Sequence, residues 1–315
     1  MKVFQGFNDI EEIQNPVLTI GTFDGVHLGH QKIIEQLNRE AEKIGGESVL
    51  FTFYPHPRMV LYPDNHGLKL IQTQVEKIDK LRRMGMQNVV VHPFSKEFSR
   101  LSAVEFVRDY LVNRLHVKKM VIGYDHQFGK NREGSLKFLM DVCETYGFEV
   151  VEIAAQEIDE VNVSSTKIRK AIELGEMELA ESYLGEPFEI NGRVVEGQAI
   201  GRDLGFPTAN IDVESEVKLI PPRGVYAVNV LLNDGTLKGG MMNIGMRPTL
   251  GNMANETMIE VHVFDYSGNL YGQHVTVQFL SNRLRDEMKF DSLFELKEQI
   301  GKDEAIIRNY LSDRV

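Results

Sequence analysis

The chain has 315 residues, enough for about two domains, with 42% hydrophobic and 26% charged residues as in an ordinary globular protein. Its formal net charge of −11 gives no general attraction to nucleic acid or to an anionic membrane. A single cysteine, Cys143, excludes an intrachain disulfide, the start MKVFQGFNDIEE lacks a signal-peptide core, and no stretch nears the roughly 18 apolar residues of a membrane span, so a cytoplasmic protein is expected.

Strand and helix signals alternate through the first half. Val17–Phe23 reads as strand and Leu28–Ile44 as helix, with Ile33, Ile34, Leu37, Ala41 and Ile44 at helical spacing. Val49–Phe53 is strand, Thr73–Met84 a helix stopping at Gly85, and Asn88–Val91 strand. Ser102 and Glu105 fit a capping box before a helix to Leu115. Val117–Ile122 (strand), Ser135–Tyr146 (helix) and Phe148–Ile153 (strand) complete the series. This rhythm predicts an α/β Rossmann-like domain, a parallel sheet covered by helices, with ligands outside the carboxyl ends of the strands.

After Gly185-Glu-Pro187 short strands dominate, which sets the predicted domains at 1–185 and 186–315. The strands are Phe188–Val195, Val225–Leu232, Gly239–Ile244, Thr257–Phe264 and His274–Phe279, with Asn233-Asp-Gly235 as a hairpin signal. They predict a small antiparallel β-barrel. Phe290–Leu311 returns to helix, anchored by Leu293, Leu296, Ile300 and Ile307.

Two stretches of the first half are suited to phosphate. In GTFDGVHLGH, His27 and His30 follow the first strand at the start of a helix. Zinc is the weaker reading: the helical zinc pair is spaced i,i+4 around a glutamate, whereas here the spacing is i,i+3 with Gly29 between, and no Cys/His cluster completes four ligands. His56, in a Pro-His-Pro loop, is one conceivable third ligand. Phosphate fits better, because Gly21, Gly25 and Gly29 let backbone approach a ligand and the helix start presents N–H groups and a positive dipole end. The second stretch, Val163-Ser-Ser-Thr-Lys-Ile-Arg169, places Ser164, Ser165 and Thr166 at a helix start with Lys167 and Arg169 behind them. Alone it is an ordinary cap with surface charges; with the first stretch it makes two ends of a triphosphate site.

In the second half, VVEGQAIGRDLGFPTANI carries Gly197, Gly201 and Gly205, then Pro207-Thr-Ala-Asn210. The plain reading is a glycine-rich hairpin loop. Thr208 and Asn210 alternate by two, so on a strand both face one side, and their hydroxyl and amide oxygens are hard ligands suited to Mg²⁺. Glu260 lies within the apolar strand Thr257–Phe264, either as an edge acid, as an ion pair with Arg247, or as a general base.

These motifs carry a resemblance. GTFDGVHLGH and SSTKIR, in that order, resemble the HxGH and SSTxxR motifs of the nucleotidylyltransferase superfamily. TFYPHP, FSRLSAVEFV and IGYDHQFGKNREGS resemble the adenylyltransferase half of the bacterial bifunctional riboflavin kinase/FAD synthetases, with His126 where that family has an aromatic residue and with Asp125 and Phe128 kept. GRDLGFPTAN, NIGMRPT, EVHVFD and the closing helical segment resemble its riboflavin kinase module. The resemblance implies two ATP-dependent, Mg²⁺-assisted reactions: riboflavin to FMN with release of ADP, then FMN to FAD with release of pyrophosphate. It implies that His27 and His30 contact the α/β-phosphates and that Ser164, Ser165, Thr166 and Arg169 hold the triphosphate or departing pyrophosphate. Gly21, Thr22, Phe23, Asp24, Gly29 and Asp125 would build the nucleotide pocket. In the kinase half, Thr208 and Asn210 would hold Mg²⁺–ATP and Glu260 would act as base. The loop of Gly201, Arg202, Gly205 and Pro207 would cradle phosphates, and Arg285 would touch nucleotide or flavin. No nucleic-acid or membrane partner is implied.

Two other classes compete. HLGH also resembles the HIGH motif of class I aminoacyl-tRNA synthetases, which would make this a tRNA-linked nucleotidyl-transfer protein, but the lysine-rich partner loop is absent and the charge is acidic. A flavin-binding carrier or regulator that has lost catalysis is the other; intact His27, His30, Thr208, Asn210 and Glu260 argue against it.

Overall fold

The computed structural model describes residues 1–8, 10–63, 67–124, 126–153, 163–197, 200–247 and 256–314. Within them the chain divides into two units, Met1–Ser165 and Thr166–Val315.

In the first unit β1 (Lys2–Gln5), β2 (Val17–Ile20), β3 (Ser48–Tyr54), β4 (Asn88–Pro93) and β5 (Lys119–Gly123) are followed by a two-residue pair, β6 (Gln127–Phe128) and β7 (Gly134–Ser135), and by β8 (Glu149–Ile153). The main sheet runs β1-β4-β3-β2-β5-β8, all parallel. Its strands are apolar in continuous runs because both faces are covered. Leu18, Val49 and Phe51 enter one core with Phe106, Val107, Leu111 and Leu139, while Val17, Leu50 and Val89 enter the other with Ile34, Leu37 and Ala41. That alternation is the period-2 geometry of a strand expressed on two faces.

The helices of this unit are α1 (Leu28–Lys43), α2 (Pro57–Leu61), α3 (Gln74–Arg83), α4 (Ala103–Phe106) and α5 (Leu136–Tyr146). Thr73 caps α3 with a complete capping box to Glu76. The predicted box at Ser102 and Glu105 also forms, but the helix after it is not one regular α-helix to Leu115. It widens into a π-helical stretch over Val107–Val112. The wider turn leaves Phe106, Val107 and Leu111 all buried on one side, which regular helical spacing would spread apart.

The second unit begins on α6 (Ser165–Leu174) and α7 (Met177–Leu184). Its strands β9 (Glu189–Val195), β10 (Ala209–Asp212), β11 (Gly224–Leu231), β12 (Leu237–Arg247), β13 (Glu256–Val263) and β14 (His274–Phe279) close an antiparallel barrel in the order β10-β13-β12-β11-β14-β9. The β11–β12 hairpin turns through Gly235 at φ 84°, as the Asn-Asp-Gly signal predicts. A short helix, α8 (Ile200–Leu204), precedes β10, and α9 (Leu293–Ser312) closes the chain. Ile307 of α9 is fully buried against Val225, Ala227, Met241 and Phe264. Leu293, read as another anchor, is 63% exposed: it keeps the helical spacing, but the first turn of α9 lies beyond the apolar surface that Ile307 covers.

Candidate active sites

The first site is built where β2 ends. The chain proceeds from β2 to β3 and β4 on one side, whereas β5 and β8 lie on the other, so the segment after β2 leaves the sheet at a topological switch point. β2 pairs with β5 only at Val17–Lys119 and Leu18–Met120, and the two strands part beyond that. Residues 21–27 occupy this edge. Phe23 (φ 50°) and Val26 (φ 38°) hold left-handed backbone, at about 1–3 kcal/mol each for residues bearing a Cβ. Gly21 is required by close approach: a Cβ there would lie 2.8 Å from the Phe23 ring.

Side-chain donors hold this strained loop from behind. The carbonyls of Asp24 and Val26 accept from Ser165 Oγ (3.0 Å) and Gln31 Nε2 (3.0 Å). Lys77 Nζ donates to the Thr22 carbonyl (3.2 Å) and the Thr52 hydroxyl (3.3 Å), and Lys80 Nζ to the Gly25 carbonyl (3.5 Å). The Asp24 carboxylate, which is buried, accepts the Ile71 and Gln72 N–H groups at 3.0 and 3.3 Å. Asp24 therefore shapes the loop through α3's leading segment. Carbonyls tied to the scaffold in this way do not oppose an approaching phosphate.

His27 is the N-cap of α1, its Nδ1 accepting the His30 N–H at 3.4 Å. The two imidazoles stack at 3.7 Å, and His30 stacks on Phe23 at 4.4 Å. His30 Nδ1 is buried and has no hydrogen-bond partner among the described residues. Burial lowers His27 to about 4, assisted by the Lys80 charge. His30 is pushed well below the usual imidazole range by burial first, then by His27, Lys80 and Lys77. Both rings are therefore neutral near pH 7, each with one N–H able to donate a hydrogen bond without carrying charge; the local positive charge comes from the lysines. Burial also lowers Lys77 to about 8, against the pull of Asp24, so it is still mainly protonated at neutral pH.

One consequence concerns acid stability. Between pH 6.5 and about 4 the unfolded chain binds a proton at His27 that the folded chain refuses, so folding stability falls as pH drops through that window. His27→Asn keeps an N-cap acceptor and removes the titration. Urea midpoints of the first unit's transition are expected to fall less between pH 7 and pH 4.5 in that variant than in the wild type; an equal fall would place the acid sensitivity elsewhere.

Of the other residues assigned to this site, Thr22 is half-buried and Gly29 is buried in the first turn of α1. Ser164 precedes α6 and Ser165 starts it, with Thr166 exposed and Arg169 half-buried one turn along the same helix. Asp125 lies outside the described residues. Lys77 and Lys80 were not singled out from the sequence. Their signal was available: Lys77 and Leu81 are four apart, so a helix burying Leu81 turns Lys77 inward as well.

The second site is a cavity of about 580 Å³ in the barrel unit, lined among others by Gly201, Thr208, Asn210, Glu260 and Arg285. Strand register explains the convergence. Asn210 on β10 pairs with Glu260 on β13, Glu260 with Asn243 on β12, and Asn243 with Val225 on β11, whose N–H donates to the Arg285 carbonyl at 3.1 Å. Directly paired residues share a face, so this row presents an amide, a carboxylate and a second amide side by side. Asn243 lines the same cavity and was not singled out from the sequence, because cross-strand register is invisible there. The Arg285 guanidinium is held by the buried Asp303 of α9 at 2.7 and 2.9 Å, and Gln299 donates to the other Asp303 oxygen at 2.8 Å. Arg202 on α8 and Gly205 and Pro207 on the α8–β10 connection are exposed and do not line the cavity. The alternative ion pair of Glu260 with Arg247 involves a side chain outside the described residues.

A switch-point loop ending in two stacked histidines and a barrel cavity flanked by Thr, Asn and Glu define a two-module protein of the nucleotidyl- and phosphoryl-transfer type. The FAD synthetase family matches residues 9–167 and the riboflavin kinase family residues 184–311. The bifunctional riboflavin kinase/FMN adenylyltransferase of Haemophilus influenzae is 38% identical over 96% of this chain and 97% of its own. That of Escherichia coli is 38% identical over 98% of each. A crystal structure described as a macrolide-efflux protein from Streptococcus pneumoniae shares the fold over 98% of both chains, with TM-score 0.86 and 32% identity. Among the described residues of this chain no helix is long and apolar enough to cross a membrane. The chain belongs to the bifunctional riboflavin kinase/FMN adenylyltransferase family.

Proposed function

We propose that this chain makes FMN from riboflavin and ATP, and FAD from FMN and ATP, in two separate sites. The observation that carries the reading is the paired chemistry of the sites: neutral histidines at a helix start backed by buried lysines, and a carboxylate aligned with hard oxygen donors in a cavity. We assign adenylyl transfer to residues 1–185, including the SSTKIR helix, and phosphoryl transfer to residues 186–315. Its single cysteine fits a reducing compartment, and we place the protein in the cytoplasm.

In the kinase site the riboflavin 5′-hydroxyl is a poor nucleophile, and Glu260 accepts its proton as the bond to the γ-phosphorus of ATP forms. Thr208 and Asn210 supply hydroxyl and amide oxygens, hard donors that fit Mg²⁺ beside the Glu260 carboxylate. The packing agrees: a Cβ at Gly197 would overlap the Asn210 amide, so this side chain sits in a cradle only glycine leaves open. When bound there with ATP, Mg²⁺ would neutralise phosphate charge. Gly197→Ala should displace Asn210, raising the half-saturating Mg²⁺ for FMN formation by about tenfold, roughly the worth of one good ligand-side hydrogen bond or contact. Adenylyl transfer in the same preparation should be unchanged; an unaltered Mg²⁺ requirement would remove Asn210 from the metal site.

In the adenylyltransferase site the FMN phosphate is already a competent nucleophile, so catalysis is alignment and charge stabilisation. His27 and His30 donate to the phosphates, while Ser164, Ser165, Thr166 and Arg169 hold the pyrophosphate end. Lys77 and Lys80 keep the loop's carbonyls turned back and add positive charge beneath it. Chromatography of riboflavin, FMN and FAD after incubation with ATP and Mg²⁺ tests the whole reading: both products are expected, and retention of riboflavin without turnover would instead favour a flavin carrier.

A further inference from the structure

We propose that His262 is a positioning residue for phosphoryl transfer, its Nδ1–H holding the Pro207 carbonyl so that Thr208 and Asn210 stay in register with Glu260. This rests on the kinase reading of the barrel site. A carbonyl only accepts, so the 2.7 Å contact between His262 Nδ1 and the Pro207 oxygen assigns the proton to Nδ1. The bond stands where the sheet cannot supply one. β10 pairs with β13 at only two positions, Asn210–Glu260 and Ala209–Val261, and the ladder ends there. One step further the register would reach Thr208 and His262, and next to it Pro207 has no N–H to exchange. The side chain of His262 reaches across instead and ties down the main chain immediately before Thr208.

The ring is held to this task. It is 9% exposed and meets Phe206 and Phe264 edge-on, at 5.7 and 5.6 Å between centroids. His262 is two residues from Glu260 on β13, so both face the cavity, which both line. Pro207 itself is exposed, and before it the chain turns at Gly205 (φ 92°), where the Phe206 N–H returns to the Gly201 carbonyl at 2.7 Å, so the His262 bond is the next tie before Thr208. The anchor from His262 therefore links the main chain just before the Thr208–Asn210 segment to the strand that carries Glu260.

Two full-length variants separate the bond from the ring. His262→Phe keeps the edge-on packing and loses the donor. His262→Asn loses the ring, but its amide N–H can occupy the Nδ1 position. Hydrogen exchange of the peptide covering residues 207–212, measured without ligands, should be faster in His262→Phe and close to wild type in His262→Asn. The half-saturating Mg²⁺ for FMN formation should rise about tenfold in His262→Phe and no more than about threefold in His262→Asn. FAD formation from FMN should be equal in all three proteins. Wild-type exchange and Mg²⁺ requirement in His262→Phe would overturn the proposal, as would an Asn variant as damaged as the Phe variant. If His262→Phe fails to fold, His262→Leu and His262→Asn carry the same comparison. Absence of riboflavin phosphorylation by the wild type would overturn the kinase reading alone, because the exchange measurement needs no activity.

Discussion

Glu260→Gln is expected to lower FMN formation by about 10²- to 10⁴-fold while conversion of FMN to FAD proceeds as in the wild type. Glutamine has the size of glutamate and can hydrogen-bond, so the β13 pairings with Asn210 and Asn243 remain and the cavity keeps its shape. What is lost is a group that can take the proton of the flavin hydroxyl at neutral pH, together with one negative charge beside the phosphates. A steady-state assay that separates riboflavin, FMN and FAD reads both reactions in one preparation. Loss of both activities in a folded protein would contradict two independent sites. Retention of FMN formation would move the base to another residue.

His30→Ala is expected to do the reverse, lowering FAD formation by about 10²- to 10³-fold, the scale of removing one preorganised donor, with FMN formation unchanged. The ring lies between His27 and Phe23, so alanine also opens a gap in that stack. His30→Phe resolves the two effects, since it refills the stack without a donor. If the donor matters, Phe is as inactive as Ala; if packing matters, Phe recovers. A full recovery would reassign His30 to a structural role and leave phosphate contact to His27 and the helix start.

Much of this architecture is legible in the sequence. Apolar runs flanked by helical periodicity forecast the strands at Val17, Val49, Asn88 and Val117, because burial on both faces makes such strands mostly apolar, with a few polar residues such as Thr19, Ser48, Thr52 and Asn88 buried among them. His27 and His30 could be placed at a helix start from spacing alone. The π-helical widening at Val107–Val112 could not, since it depends on which side chains the core admits. Nor could the exposure of Leu293, whose spacing is that of an anchor but which is left 63% exposed.

By itself the sequence determined the two-part organisation, the residue types of each motif and the order in which they occur, because these follow from local residue types, turn signals and periodicity. Only the tertiary structure decided what stands behind those motifs. Lys77 and Lys80 reach the loop across 55 residues of chain, and Asn210, Glu260 and Asn243 become neighbours through strand register. His262 meets Pro207 across another 55 residues. Such contacts are set by how separate elements pack and pair, and no local pattern encodes the register that brings them together.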